Sequence, residues 1–220
     1  MKVIVFGATG MVGQGVLREC LLAPDVSEVL SVGRRPLGRS DPKLREVVQP
    51  DLADLTPVAD EFRGYDACFF CLGVSSVRMS EPDYRRVTYD LTMSVARLLA
   101  ERNPDMTFVY VSGQGTDSTE QGRSMWARVK GKTENDLLAL PLDAYMFRPG
   151  FIQPMHGEGP SSPVYRSMYR VLRPLTLLMT RFFPKYATTT ERVGRAMLAV
   201  TREKRDTHVL GNPEISSLGA

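Results

Sequence analysis

Seven residues near the start, Gly7-Ala8-Thr9-Gly10-Met11-Val12-Gly13, constrain this chain more than any other feature. They follow a short apolar run, Lys2–Phe6, and open a helical pattern, Met11–Leu22, with Val12, Val16 and Leu17 on one face. G-x-x-G-x-x-G means little by itself, but between a first strand and a first helix each glycine has a steric task. Gly7 permits the sharp turn, Gly10 lets a phosphate reach the backbone, and Gly13 lets the helix pack close to the strand. The amides around Thr9, Met11 and Val12, with the positive end of the helix dipole, then face an anion. The pattern predicts a bend that holds a dinucleotide pyrophosphate.

The remainder of the chain alternates in the way such a bend requires. Strand-length apolar runs stand at Glu28–Val32, Glu46–Gln49, Ala67–Leu72, Thr107–Val111 and Ala144–Arg148. Helical patterns fill Glu81–Arg102, with Val87, Leu91, Val95 and Leu98/Leu99 on one face, and Trp126–Leu140; Asn103-Pro104 ends the first of these. Strands alternating with helices imply right-handed crossovers and a doubly wound parallel sheet of the Rossmann type. The expected order is 3-2-1-4-5-6, with the ligand crevice beside strands one and four. Thr190 is expected to cap a last helix, Glu191–Arg202, and His208–Leu210 to add a seventh strand. The length of 220 residues suits one domain, 1–220, in which 153–220 supplies a small helical lid on the substrate side.

Composition narrows the function classes. The formal net charge is +3, from 28 basic and 25 acidic residues, too even for a nucleic-acid partner. Cys20, Cys68 and Cys71 form no disulfide framework and suit a reducing compartment. Cys68 and Cys71 have C-x-x-C spacing but lie in an apolar run, so they read as small buried hydrophobes. Val164–Phe183 is rich in Leu, Met and Phe yet carries four arginines. Each arginine costs ~2.5–3.5 kcal/mol at the centre of a membrane helix, which disfavours a span. An arginine-rich amphipathic stretch suits a membrane surface, but ordinary lid or dimer packing explains it equally well, and membrane contact is not expected. His156 and His208 lack companions at metal-ligand spacing, and no metal site is expected. The chain is expected in the cytoplasm, as a monomer or homodimer.

The end of the second strand separates two dinucleotides. An acidic residue there accepts from a ribose 2′-hydroxyl and repels a 2′-phosphate. Here the sequence is Ser31-Val32-Gly33-Arg34-Arg35, with no Asp or Glu. Arg34 and Arg35 suit a fork onto phosphate or a stack on adenine, so NADP(H) is expected over NAD(H). Asp51 has two readings: an acceptor for the adenine amino group, with Leu52 packed on the ring, or a turn residue. Leu72-Gly73 follows strand four, where a glycine lets the loop approach the cofactor closely.

These residues resemble the short-chain dehydrogenase/reductase superfamily in its extended or atypical branch, with its NmrA-like and Tat-interacting-protein-like members the nearest in look. The likeness rests on the glycine motif, Gly33-Arg34-Arg35, Asp51-Leu52, Val111-Ser112, Lys130-Gly131-Lys132-Thr133-Glu134 and Arg148-Pro149-Gly150-Phe151-Ile152. It implies that Ser112 positions a substrate carbonyl, that Lys130 binds the nicotinamide ribose, and that Pro149, Phe151 and Ile152 border the cofactor. A tyrosine belongs four residues before that lysine, and Trp126 stands there instead. A phenol can pass a proton to an alkoxide; an indole N–H only donates a hydrogen bond. Trp126 is read either as packing at a helix start or as a wall of the substrate pocket. Thr88 stands near the place of an asparagine sometimes found in the preceding helix. Two functions follow. One is an NADP(H)-dependent oxidoreductase on a small molecule, its proton relayed by Ser112, a water or another tyrosine. The other is a non-catalytic NADP(H)-sensing regulatory protein.

Overall fold

The computed structural model describes residues 1–159 and 185–220; the arginine-rich stretch 164–183 lies outside them. In chain order the first elements are β1 (Lys2–Phe6), α1 (Met11–Leu22), β2 (Glu28–Gly33) and β3 (Leu44–Val48), then a 3-10 turn over Thr56–Phe62 and β4 (Ala67–Phe70). Next come α2 (Glu81–Arg85), a π turn (Arg86–Asp90), α3 (Leu91–Arg102), β5 (Thr107–Val111), α4 (Met125–Leu138) and β6 (Asp143–Arg148). The described chain closes with β7 (Phe151–Gln153), β8 (Ala187–Thr189), α5 (Thr190–Arg202), β9 (Val209–Gly211) and α6 (Asn212–Leu218).

Seven strands form one sheet in the order β3-β2-β1-β4-β5-β6-β9, and every pairing is parallel. This is the expected order with the expected seventh strand added beside β6. The inner strands are apolar on both faces because both faces are covered. Val3 and Val5 point into a core shared with α1 and α5, through Val16, Leu17, Val193 and Met197. Ile4 and Phe6 point the other way, towards Phe62, Met93 and Leu99. Phe6, Phe70 and Phe108 run as neighbouring rings across that second core, with centroids 5.6 and 5.9 Å apart. Strand polarity brings the ends of β1, β2, β4, β5 and β6 to one edge of the sheet, where the bend sits.

Several boundaries and faces differ from the sequence reading. β3 starts at Leu44 rather than Glu46, and β4 ends at Phe70, although the Cys71 N–H still reaches the Phe6 carbonyl at 2.9 Å. The long helix is interrupted by the π turn, whose additional residue rotates the buried face. Thr88 and Thr92 are buried there, while Val87 and Leu91 are only partly covered. Thr189, not Thr190, caps α5, accepting from the Arg192 N–H at 3.1 Å; Thr190 is buried and accepts from the Met155 N–H. Nor is that helix the last, since α6 follows β9. Of the expected lid region 153–220, the described elements α5, β9 and α6 join the sheet and its covering layer, and β8 pairs with β7 in a separate two-stranded sheet. No helix among the described residues is long and apolar enough to cross a membrane.

Candidate functional site

The bend between β1 and α1 is shaped by clearances. Gly7 has φ +83°, and a Cβ there would stand 2.8 Å from the Cys71 backbone. A Cβ on Gly13 would collide with the Gly7 carbonyl oxygen. The Gly10 N–H donates to that same carbonyl at 2.9 Å, which closes the turn. Gly10 is also the helix N-cap; no side chain caps it, and the first turn holds no acidic residue. The leading N–H groups of α1 therefore lack a partner in the helix or from a cap. Thr9 is exposed, and Met11 and Val12 are half-buried beside it. The geometry fits a diphosphate.

A cavity of about 600 Å³ opens from this bend along the end of β2. Gly7, Thr9, Arg34, Arg35, Leu52 and Leu72 line it, so the structure assembles six of the residues singled out from sequence. Arg34 and Arg35 are exposed, and neither has an ion pair or side-chain hydrogen bond among the described residues. Two guanidinium groups thus border the cavity with no carboxylate to neutralise them. Ser31, quoted in the sequence reading without a role, also lines it, as do Pro36 and Leu37, which that reading missed because apolar residues after the two arginines carry no distinctive signal. Asp51 lies between Pro50 and Leu52, which both line the cavity, and its Oδ1 accepts the Ala53 N–H at 2.9 Å as a turn residue does. Gly73 meets no crowding that would demand a glycine, for a Cβ there would enter open space.

The other end of the site lies where β5 and β6 finish. Ser112 is buried; its backbone N–H and its hydroxyl both donate to the Phe147 carbonyl, at 2.9 and 3.0 Å. Lys130, on α4, donates to the Ser112 carbonyl. Burial holds the Lys130 amine down at about 8, against the pull of the Glu134 carboxylate one turn on. Glu134 is itself buried and accepts both Nε and Nη2 of Arg148 from β6. Arg148 in turn reaches Ser118 Oγ at 2.5 Å. That pair ties α4, β6 and the loop after β5 into one unit, and sequence inspection had registered its members only as motif neighbours.

Trp126 occupies the turn of α4 before Lys130. Its ring edge lies over Gly115, where a Cβ would stand 3.2 Å from Cη2, and Gly113 and Gly115 both have positive φ. The loop thus passes beneath the indole, and the Gln114 N–H then donates to the Pro149 carbonyl at 2.8 Å. The Gly150 N–H is held by Asn212 Oδ1 at 2.9 Å and the Phe151 N–H by the Tyr186 carbonyl at 2.9 Å. Ile152 packs against the core that contains Val5 and Val16. Among the described residues, neither Tyr89 nor Tyr110 stands in for the missing phenol. Tyr110 is sealed in the core with its phenol driven upward by burial, and the Tyr89 phenol is bonded to Asp136. Cys68 and Cys71 are free thiols raised by burial, Cys71 to about 12, so neither offers a thiolate.

A parallel sheet whose strand order reverses beside β1, with an uncapped helix N-terminus at that switch point, defines a dinucleotide-binding α/β protein of the Rossmann type. Residues 3–124 match the NAD dependent epimerase/dehydratase family, and the chain belongs to it. Protein HTATIP2 of Rattus norvegicus is 30% identical over 154 residues, covering 69% of this chain and 62% of its own length. This chain thus spans less than two thirds of that relative. Protein FMP52, mitochondrial, of Eremothecium gossypii is 27% identical over 224 residues, covering 99% of this chain and 97% of its own. Among solved structures, MoeE5 in complex with UDP-glucose and NAD superposes with a TM-score of 0.68 at 21% identity, covering 96% of this chain and 75% of that one. These relatives agree with the resemblance to extended short-chain dehydrogenases.

Proposed function

We propose that this chain is an NADP(H)-dependent oxidoreductase acting on a small molecule that carries a carbonyl group or the corresponding alcohol. The observation that carries the reading is the cavity in which the bend at Gly7–Gly13 meets Arg34 and Arg35 with no acidic side chain between them. The α1 amides would hold the diphosphate, and the two arginines the 2′-phosphate. Leu52 and Leu72 would pack about the adenosine, and Lys130 would take the ribose on the nicotinamide side. Pro149, Phe151 and Ile152 would border the ring. When bound, the cofactor supplies hydride chemistry; the chain's own residues place the acceptor near Ser112.

Isothermal calorimetry tests the cofactor choice. NADPH is expected to bind at least about tenfold more tightly than NADH, the low end of what one charge-assisted hydrogen bond contributes. Arg34→Ala with Arg35→Ala should erase that difference. Equal affinities in the unaltered protein would overturn the choice.

Trp126 in the phenol position favours a second reading, a non-catalytic NADP(H) sensor. That protein would bind NADPH tightly, oxidise it with no carbonyl, enone or quinone acceptor, and engage a partner protein in a manner that changes with cofactor redox state.

A further inference from the structure

The seven-stranded sheet ends on two free edges that are built differently. On β3 the charged side chains of Arg45 and Glu46 are exposed, and charges on an edge strand discourage a further strand. On β9 the exposed side chain is that of Val209, which is apolar. The Met146 N–H donates to the His208 carbonyl at 2.7 Å, which turns the backbone of His208 and Leu210 towards β6. Neighbouring residues of a strand direct their N–H and C=O groups to opposite sides, so those of Val209 face away from the sheet. Among the described residues, only β6 pairs with β9. Beside it a groove of about 730 Å³ opens between the loop that enters β9 and the helix α6 that follows. Lys204 lies on the loop side, largely exposed and 3.8 Å from Asp143. Arg205 and Glu203 pair with each other on that loop, and Asp206 follows them. Glu214 lies on the helix side, exposed and without an ion pair among the described residues.

We propose that the β9 edge is the seam of a homodimer, in which two copies of this chain pair β9 antiparallel about a two-fold axis and join their sheets into one. Val209 of each copy exchanges both backbone hydrogen bonds with Val209 of the other, and the axis passes between them. In that register Lys204 of one copy falls opposite Glu214 of the other, because the two residues lie equally far from Val209 along the chain. The unpaired carboxylate of Glu214 thus meets a cation at both ends of the seam. A parallel pairing in register would set Lys204 against Lys204 and leave Glu214 facing its own copy. The loop that enters β9 in one molecule lies along the α6 end of the other, over the groove. Because the same patch serves both partners, the pair is closed and adds no further copies. The seam also touches the site, for Asn212, next after β9, holds the Gly150 N–H at 2.9 Å. Pairing at this edge braces the tail that carries that bond.

Sedimentation equilibrium of the whole chain tests this. Between about 1 and about 300 µM the mass should pass from monomer to dimer, with a dissociation constant on the order of 10 µM, as suits a small seam. Amide exchange at Val209 should slow as the dimer fills. Val209→Pro removes the outward N–H and leaves the bonds of His208 and Leu210 to β6, so it should weaken association at least about tenfold with the fold retained. Glu214→Lys sets like charges together and should weaken it by a similar factor. Mixed with Lys204→Glu, that variant should associate again, since the two then carry opposite charges at both ends of the seam. A mixture no tighter than Glu214→Lys alone would overturn the register. A chain that stays monomeric throughout, a dimer in which Val209 exchanges as before, or one that tolerates both Val209→Pro and Glu214→Lys would overturn the seam itself. No nucleotide enters these measurements, so their outcome is separate from that of the NADPH titration.

Discussion

A methyl group is the whole difference between Gly13 and a residue that would close the bend. A Cβ there overlaps the Gly7 carbonyl, and that carbonyl already accepts the Gly10 N–H. Gly13→Ala must therefore shift α1 away from β1. Overpacking of this kind costs about 1–3 kcal/mol, which a lower Tm would report. The stabilisation normally conferred by saturating NADPH should shrink as well, since the amides that face the diphosphate move with the helix. This part of the site was legible because a missing side chain is written directly in the sequence. Asn103 shows the opposite case. It reads as a helix stop, yet its side chain accepts from the Gly64 and Tyr65 N–H groups and donates to the Phe62 carbonyl, at 2.8, 3.1 and 2.7 Å. All three partners lie some forty residues upstream, roughly 38 to 41 positions away, so no local pattern announces them. Asp51 differs again: its turn partner, the Ala53 N–H, is only two residues away, and a local pattern leaves its second carboxylate oxygen unassigned.

Between elements, the least legible feature is how α1 meets α5. Sequence periodicity placed Val12, Val16 and Leu17 on one face of α1 and did not single out Gly15 or Glu19. Both are buried, because α5 crosses there. A Cβ on Gly15 would stand 2.6 Å from Thr190 Cβ, and one on Gly194 3.1 Å from Val16 Cα. The crossing is close enough that Glu19 is covered and paired, with Arg195 Nε at 3.1 Å. Its partner helix arrives late in the chain, so amphipathic patterning in α1 alone sees half the packing. Gly194→Val should wedge the helices apart and lower stability by about 1–3 kcal/mol, read as a lower urea midpoint with an unchanged slope. The interruption between α2 and α3 escaped for a related reason. Apolar spacing continues across the π turn, so one long helix was the natural reading, and only the burial of Thr88 and Thr92 in place of Val87 and Leu91 exposes the rotation.

At the scale of the molecule, strand order was legible because alternation of apolar runs with helices leaves few topologies open. What the tail does was not. Its short elements carry weak local signals, and their place depends on surfaces built far earlier. Leu210 and Ile215 are buried in the same core as Val5 and Phe147, and His208 stacks on Tyr145 with centroids 4.9 Å apart. The tail also reaches the site, through Asn212 Oδ1 on the Gly150 N–H. That bond fixes the chain as it leaves β6, between the Pro149 carbonyl that anchors the Ser112 loop and the strand bearing Phe151 and Ile152. Asn212→Ala would leave the Gly150 donor without this acceptor, at about 1–3 kcal/mol. The loss should appear as faster amide exchange at Gly150 and along β7, with protection in β1 and β4 retained. NADPH should bind more weakly, since residues expected to border the nicotinamide lose their anchor. Asn212→Asp keeps an oxygen in place and should preserve most of the protection. Equal exchange at Gly150 in all three proteins would mean that the tail completes the sheet without ordering the site.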